Sequence, residues 1–329
     1  MKPRIVYMGT PEFAVAPLDA ILNSGYEVAG VVTVPDKPSG RGLKLNESAV
    51  KQYAVSKGLK IMQPVSLKDP QFLGELEALD ADMFIVVAFR MLPKVVWSMP
   101  KMGTFNLHGS LLPQYRGAAP INWAIINGEK VSGVTTFLID EEIDTGNILM
   151  REECEIGDNE NVGSLYDRLM AIGANLVVKT VNGLVEGTLS PKPQELFLPE
   201  EHRGKDIDTV VNGAPKLTKE LCRIKWDGNA SEIHNLIRGL SPYPAAFSTI
   251  TNGEKSIDMK IFQASVAKEG DGNSSESAGK IVTDGKNYIN VICGCGTISL
   301  DEIQLAGKKR MKVKDFLLGF RDIDNYKFI

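Results

Sequence analysis

Histidine is scarce in this chain of 329 residues, with three in all, and cysteine is little commoner, with four. The thiols Cys154, Cys222, Cys293 and Cys295 are scattered apart from one Cys-Gly-Cys, too few at this length for a disulfide framework. A reducing, cytoplasmic compartment is expected. Cys293 and Cys295 have no second pair at ligand spacing, and His202 and His234 stand far off in sequence, so two packed thiols are favoured over a metal site. Nowhere do His, Cys and acids cluster, and no nucleophilic Ser or Cys accompanies a second His; neither a catalytic metal nor a covalent triad is expected. No apolar run approaches the roughly 20 residues that cross a bilayer, and no charged leader with an apolar stretch opens the chain. Membrane insertion and secretion are therefore not expected. Gly9–Glu12 begins like a nucleotide-binding turn but lacks GxGxxG and an acidic ribose partner, which disfavours nicotinamide binding.

What is present is ample core material: 43% hydrophobic and 24% charged residues, in a length that accommodates two domains. The net charge of −4 excludes a chain coated for bulk nucleic-acid binding, but its sign is unevenly spread. Residues 205–329 carry 18 basic and 16 acidic side chains, against 19 and 25 in residues 1–204.

The pattern begins as strand, turn, helix. "RIVYMG" ends at Gly9, Thr10 is placed to cap a helix with Pro11 at its first position, and Phe13, Ala14, Leu18, Ile21 and Leu22 share one face. Val28–Val34 and residues 81–89, "ADMFIVVAF", read as parallel strands buried on both faces, and "GTFNLH" and "GVTTFLI" supply further strands. Val162, Leu165, Leu169, Ile172 and Leu176 recur at helical spacing and predict a long amphipathic helix that closes the first domain. Residues 188–216, rich in Pro, Gly and charge, read as connecting chain. Beyond them a helix over about 230–239 precedes alternating runs at 245–251, 258–266, 279–283, 288–293 and 296–305, with a mobile loop expected at 267–279. The expected fold is α/β: a Rossmann-like, doubly wound, mostly parallel sheet over 1–189, a linker over 190–209, and a smaller OB-like β-barrel over 210–329.

Chemistry concentrates in "FNLHGSLLPQYRGAAP", residues 105–120. In an open parallel sheet ligands bind beyond the carboxyl ends of the strands, and Asn106 and His108, two apart, share a side there. An amide N–H donates to a developing oxyanion, and an imidazole donates or exchanges a proton with an attacking or leaving nitrogen, which suits acyl transfer to an amine. "IDEEIDTG" (139–146) follows the next apolar strand, which puts its acids at the same carboxyl edge, where Asp144 can orient His108. Spacing alone leaves a second reading open: Asn-x-His bonding loop backbone, and Asp-Thr-Gly making a turn.

Along nearly the whole chain, "MGTPEFAVAPL", "VPDKPSGRG", "NLHGSLLPQYRGAAPINWAIINGE", "IDTG", "IRGLSPYPAAF" and "GKKRMKVKDFL" resemble the methionyl-tRNA formyltransferases, a branch of the folate-dependent formyltransferase family. The Asn-x-His and Ser-Leu-Leu-Pro core is shared with the purine-pathway and sugar-modifying branches; the C-terminal half makes the narrower resemblance. It implies transfer of a formyl group from 10-formyltetrahydrofolate to the α-amine of methionyl initiator tRNA in translation initiation. The amine attacks directly through a tetrahedral intermediate, with Asn106, His108 and Asp144 catalytic. It further implies folate contacts from Ser110, Leu111, Leu112 and Pro113, and from the pterin-side loops Phe89, Arg90, Met91, Leu92 and Asp140 to Ile143. Phe89-Arg90 departs from the Tyr-Gly usual in the branch, and Arg90 is similar to the purine-pathway enzymes. A monomer without a metal is implied.

Residues 35–46, "PDKPSGRGLKLN", form a Gly- and Pro-punctuated basic loop, either a solvated surface loop or one laid against phosphates. The resemblance places such a loop on the tRNA acceptor stem, making Lys37, Arg41 and Lys44 candidates. The densest positive run, Lys308, Lys309, Arg310, Lys312 and Lys314, sits in the more basic C-terminal part, as a phosphate-binding strip would. The barrel is then the tRNA-binding domain. Two alternatives compete. A folate-dependent sugar-nucleotide formyltransferase would keep the first domain and change the acceptor pocket; a noncatalytic RNA-binding protein would have no use for the Asn106, His108 and Asp144 trio.

Overall fold

The computed structural model describes residues 2–39, 44–270 and 277–329. These form two compact units, one of residues 1–120, 132–154 and 166–214, the other of 121–131, 155–165 and 215–329. Residues 190–209, read from sequence as a linker, lie within the first unit. Of the loop expected at 267–279, residues 271–276 lie outside the described residues.

The strands of the first unit are β1 (Arg4–Gly9), β2 (Glu27–Val32), a hairpin of β3 (Lys37–Ser39) with β4 (Lys44–Asn46), β5 (Ile61–Met62), β6 (Met83–Val87), β7 (Thr104–His108), β8 (Arg116–Gly117), β9 (Val131–Leu138), β10 (Ile148–Glu155) and β11 (Gly213–Ala214). Seven make one sheet in the order β10-β9-β7-β6-β1-β2-β5, with β5, β2, β1, β6 and β7 all parallel. That is the expected mostly parallel sheet. The helices are α1 (Val15–Asn23), α2 (Ala49–Ser56), α3 (Pro70–Glu77), α4 (Lys94–Trp97), α5 (Pro120–Ile126), which beyond its first residue counts with the second unit, the 24-residue α6 (Val162–Val185), which belongs to the first unit from residue 166 on, and α7 (Ile207–Val210).

Period-two alternation sorts the strands' side chains onto two faces. Val6, Met8, Phe84 and Val86 pack with Phe72 and Leu76 of α3 and Val96 of α4, while Ile5, Tyr7, Ile85 and Phe105 are fully buried on the other face. There α6 lies so close that a Cβ on Gly173 would come 2.8 Å from Leu107. Phe84, Phe105 and Phe137, each at most 2% exposed, contribute about 1.5–3 kcal/mol apiece.

Two sequence-based expectations change here. Thr10 does not cap the first helix: Pro11 takes the cap position of a short 3-10 turn, Glu12–Ala14, with no side-chain cap bond, and α1 starts only at Val15. The turn is pressed against β1, where a Cβ on Gly9 would come 2.7 Å from that of Ala14, and Tyr7 Oη donates to the Ala14 carbonyl at 2.6 Å. Second, β9 runs antiparallel to β7, pairing Phe105 with Leu138 and His108 with Thr135. Its carboxyl end therefore lies beside the amino end of β7, and "IDEEIDTG" departs from the opposite edge to the one expected.

The second unit holds α8 (Ala230–Gly239) and the strands β12 (Ala246–Thr251), β13 (Ser256–Lys268), β14 (Ile281–Thr283), β15 (Ile289–Ile292), β16 (Thr297–Leu305), β17 (Met311–Lys312) and β18 (Lys327–Phe328), with α9 (Val313–Gly319). The antiparallel sheet runs β14-β15-β16-β13-β12-β18, and the Lys280–Lys327 bridge brings its two edges together. This is the small barrel expected. Asn229 caps α8 by accepting from Ser231 N–H at 2.9 Å, and Ile233, Ile237, Met259, Ile261, Val291, Cys293 and Ile303 fill the interior. Cys293 is thus a core thiol, and among the described residues no group of three His, Cys, Asp or Glu is placed to hold a metal. Among the described residues no helix is long and apolar enough to cross a membrane.

Candidate active site

Asn106 and His108 occupy the carboxyl half of β7, opposite Phe137 and Thr135 of β9. His108 is 6% exposed, and its Nε2 lies 2.8 Å from the Tyr115 carbonyl oxygen. A carbonyl only accepts, so Nε2 carries a proton and Nδ1 faces Asp144, whose Oδ2 stands 3.7 Å away. The ring packs edge-on to Phe137, with centroids 6.5 Å apart at 82°. In the imidazolium form both nitrogens donate, and the pair becomes an ion pair inside the protein.

Asp144 reaches this position although its loop begins at the far end of β7, where Ile139 N–H donates to the Thr104 carbonyl. The return is held at its tip. Asp144 adopts a left-handed backbone, φ +59°, and its Oδ2 accepts the Gly117 N–H at 2.9 Å. Asn106 differs from its two neighbours: its Oδ1 is buried and has no hydrogen-bond partner. An orphaned acceptor of this kind costs about 1–3 kcal/mol, and a bound donor removes the cost.

The Ser110 to Pro113 turn is shaped by polar bonds as well as burial. Thr135 Oγ1 donates to the Ser110 carbonyl at 2.6 Å and accepts from Leu112 N–H at 3.1 Å, while Ser110 Oγ donates to the Gln114 carbonyl at 2.6 Å. Leu112 packs with Phe137 and Ile148, and Gly133 leaves room for Leu111, which a Cβ there would approach to 2.4 Å. Along the other candidate loop, Leu92 is buried in the core beneath, where Phe89 and Ile139 also pack. Met91 and Ile143 are exposed, and Asp140 Oδ1 accepts from Glu142 N–H and Thr145 Oγ1. Arg90 donates to the carbonyls of Val65 and Pro64, and its guanidinium lies over the Phe89 ring at 5.5 Å. The departure from Tyr-Gly therefore ties two loops together.

Among the basic candidates, Lys37 is exposed on the β3–β4 hairpin; Arg41 and the Lys44 side chain lie outside the described residues. Lys308 and Lys309 are exposed at the turn between β16 and β17. Arg310 pairs with Glu302, holding that carboxyl below its usual range, and covers Phe262 at 4.3 Å; Lys312 donates to Gln263. The last two are tied to the barrel surface.

Sequence reasoning missed Tyr115, Arg116, Gly117, Thr135 and Gln194, which touch His108, Asp144 or the loops around them. The first three stand inside the quoted motif, where their spacing from His108 is a signal. Gln194 sits in the supposed linker and gives none.

A parallel sheet carrying an amide, an imidazole and a carboxylate at one point, followed by a small barrel, is the arrangement of a formyl-group transferase. Residues 3–181 match the formyl transferase family and residues 216–321 its C-terminal domain. Methionyl-tRNA formyltransferase of Parabacteroides distasonis is 52% identical over 325 residues, 98% of this chain and 97% of that one. The enzyme of that name from Flavobacterium johnsoniae is 50% identical over 326 residues, 99% of each. The chain belongs to the formyltransferase family, in its methionyl-tRNA formyltransferase branch. Among solved structures, the sugar 3N-formyl transferase WlaRD, in the presence of dTDP and 5-N-formyl-THF, superposes with a TM-score of 0.63 over 94% of this chain and 100% of that one. HypX from Aquifex aeolicus, in complex with tetrahydrofolic acid, gives 0.61 over 97% and 47%. At 22% and 17% identity these share the fold.

Proposed function

We propose that this protein, a cytoplasmic monomer, transfers the formyl group of 10-formyltetrahydrofolate to the α-amine of methionyl initiator tRNA. The observation that carries the reading is the buried His108–Asp144 pair beside Asn106, in a chain about half identical over its whole length to enzymes of that name. The folate donor supplies an activated formyl carbon when bound. Its contacts come from Ser110 to Pro113, from Phe89 to Leu92 and from Asp140 to Ile143; the apolar cluster of Phe89, Leu92 and Ile139 suits an aromatic ring.

The chain's own residues then act by position and charge. The Asn106 amide offers N–H to the oxyanion that develops as the amine adds, while its unpaired Oδ1 accepts from the attacking nitrogen. His108, held through Nε2 with Asp144 beside its Nδ1, forms with it a pair that takes the proton the amine loses and passes it to the donor's nitrogen as the bond from that nitrogen to the formyl carbon breaks. No covalent enzyme intermediate is needed. Lys37, Arg41 and Lys44 meet acceptor-stem phosphates, and Lys308 and Lys309 give the barrel its phosphate contacts, with Arg310 and Lys312 shaping that surface.

The test is transfer from 10-formyltetrahydrofolate to methionyl initiator tRNA, beside free methionine and an amino-sugar nucleotide. Activity is expected with the charged tRNA alone, and His108→Ala or Asp144→Asn is expected to lower kcat by about 10²–10⁴-fold in a protein that keeps its fold. Transfer only to the sugar would keep the chemistry and overturn the acceptor; full activity in either variant would overturn the mechanism.

A further inference from the structure

The loop that carries Asp144 is fastened from behind by a side chain that the reaction does not touch. Gln194 is 2% exposed, and its Nε2 donates to two carbonyls of that loop, Asp144 O at 2.8 Å and Gly146 O at 2.9 Å. Its Oε1 accepts from Arg116 Nε at 3.1 Å and Nη2 at 2.9 Å, and Arg116 Nη1 reaches Asp208 Oδ1 at 3.0 Å. The amide can face only one way: turned over, it would set N–H against guanidinium N–H and oxygen against carbonyl oxygen.

This anchorage bears on a loop with two local difficulties. Asp144 holds a left-handed backbone, which costs a non-glycine residue about 1 kcal/mol or more. Its loop also starts at the far end of β7 and must return to His108.

Arg116 lies between two residues that touch the same pair. Tyr115 gives its carbonyl to His108, and Gly117 gives its N–H to Asp144. These residues are gripped in turn by the chain that follows Gln194: Tyr115 N–H donates to Asn212 O at 2.6 Å, and Ala118 and Ala119 N–H donate to Ala214 O. Residues 194–214 thus hold Asp144 directly and His108 through Tyr115.

We infer that Gln194, set by Arg116, is a positioning residue that fixes Asp144 against His108, and that the chain after α6 is a brace for the catalytic pair. The inference rests on the proposed roles of His108 and Asp144, but the placement itself is measurable without turnover. A carboxylate in place of the amide separates the two functions of Gln194. It keeps an acceptor for Arg116 and puts a repelling oxygen against the carbonyls of Asp144 and Gly146.

The experiment compares the full-length protein with Gln194→Glu, and with Arg116→Lys, which keeps the charge and loses the fork. Steady-state transfer to methionyl initiator tRNA is measured beside the ring ¹⁵N spectra of labelled histidine, in which only His108, His202 and His234 contribute. Gln194→Glu is expected to lower kcat about 10²-fold while KM for both substrates stays within about threefold. It should also move the His108 signals and leave those of His202 and His234 in place. Arg116→Lys should move the same signals in a protein that retains its fold even if Gln194→Glu does not. Unchanged His108 signals in folded variants overturn the inference. A wild-type protein with no formyl transfer would overturn the functional reading instead, and the His108 signals would still decide the placement.

Discussion

Replacing Thr135 with valine removes one hydroxyl and leaves the shape of the side chain nearly intact. That hydroxyl is the whole polar support of the Ser110 to Leu112 turn on the β9 side, donating to Ser110 O and accepting from Leu112 N–H, at a position with no solvent exposure. Orphaning the buried Leu112 N–H costs about 1–3 kcal/mol and loss of the bond to the Ser110 carbonyl about 1 more, while the added buried methyl returns roughly 0.5–1. The net loss is about 1–3.5 kcal/mol, and in a unit of this size the melting temperature falls by about 2–14 °C. Thr135→Ser keeps the oxygen and should lose only about 1 kcal/mol. Denaturant unfolding and calorimetry of the two variants supply the comparison. Because the same turn carries the expected folate contacts, Thr135→Val should also raise the KM for the donor more than it lowers kcat. Equal stability of the valine and wild-type proteins would refute the reasoning, since it would mean that the turn satisfies its backbone by other means.

Two further outcomes follow from close approach and burial. Gly146→Ala would bring a Cβ within 1.7 Å of the Leu138 carbonyl oxygen, so the loop must move; kcat for formyl transfer should fall by about 10²-fold, and a variant within a factor of about two would contradict the packing. Cys154, Cys222 and Cys293 are buried and Cys295 is only half-buried. Burial pushes the Cys293 thiol up to about 11 and Cys222 in the same direction. At pH 8 the Cys293 thiolate fraction is then about 10⁻³. Titration with an aromatic disulfide should find one fast thiol in the native protein and four after unfolding, and a second fast thiol would place Cys293 or Cys222 nearer solvent than described.

The strands and helices were legible because their signal is local. The apolar run ending in "FIVVAF", the helical spacing from Val162 to Leu176 and the alternating runs after residue 245 each bury one consistent set of side chains, and each forms its element. Strand direction was not legible. An apolar strand buried on both faces reads alike whichever way it runs, so "GVTTFLI" gave no sign that β9 opposes β7. Thr10 failed for a related reason: the capping pattern is local, but the tight packing of Gly9 on Ala14 decides which residue occupies the cap. Asn106, His108 and Asp144 stood out by chemistry, while Gln194 is an ordinary residue in irregular chain whose importance lies in four bonds to residues at least 48 positions away.

The three site residues also differ in what they still need. His108 is bonded through Nε2, and Asp144 is bonded through Oδ2 and fastened through its backbone, so their relative placement is set before anything binds. Asn106 alone keeps a buried acceptor without a partner. Preorganised charge acts in the transition state without reorganising, whereas an unpaired acceptor is satisfied as soon as a donor arrives. The division therefore assigns recognition of the amine to Asn106 Oδ1, and transition-state stabilisation to the pair together with the Asn106 N–H. A side chain that satisfies its orphaned atom on binding lowers KM and so raises kcat/KM, and the held pair acts on kcat. Asn106→Asp keeps an acceptor and sets a carboxylate oxygen where the N–H stood: affinity for the amine should survive, while kcat falls because the oxyanion meets a like charge in place of a donor.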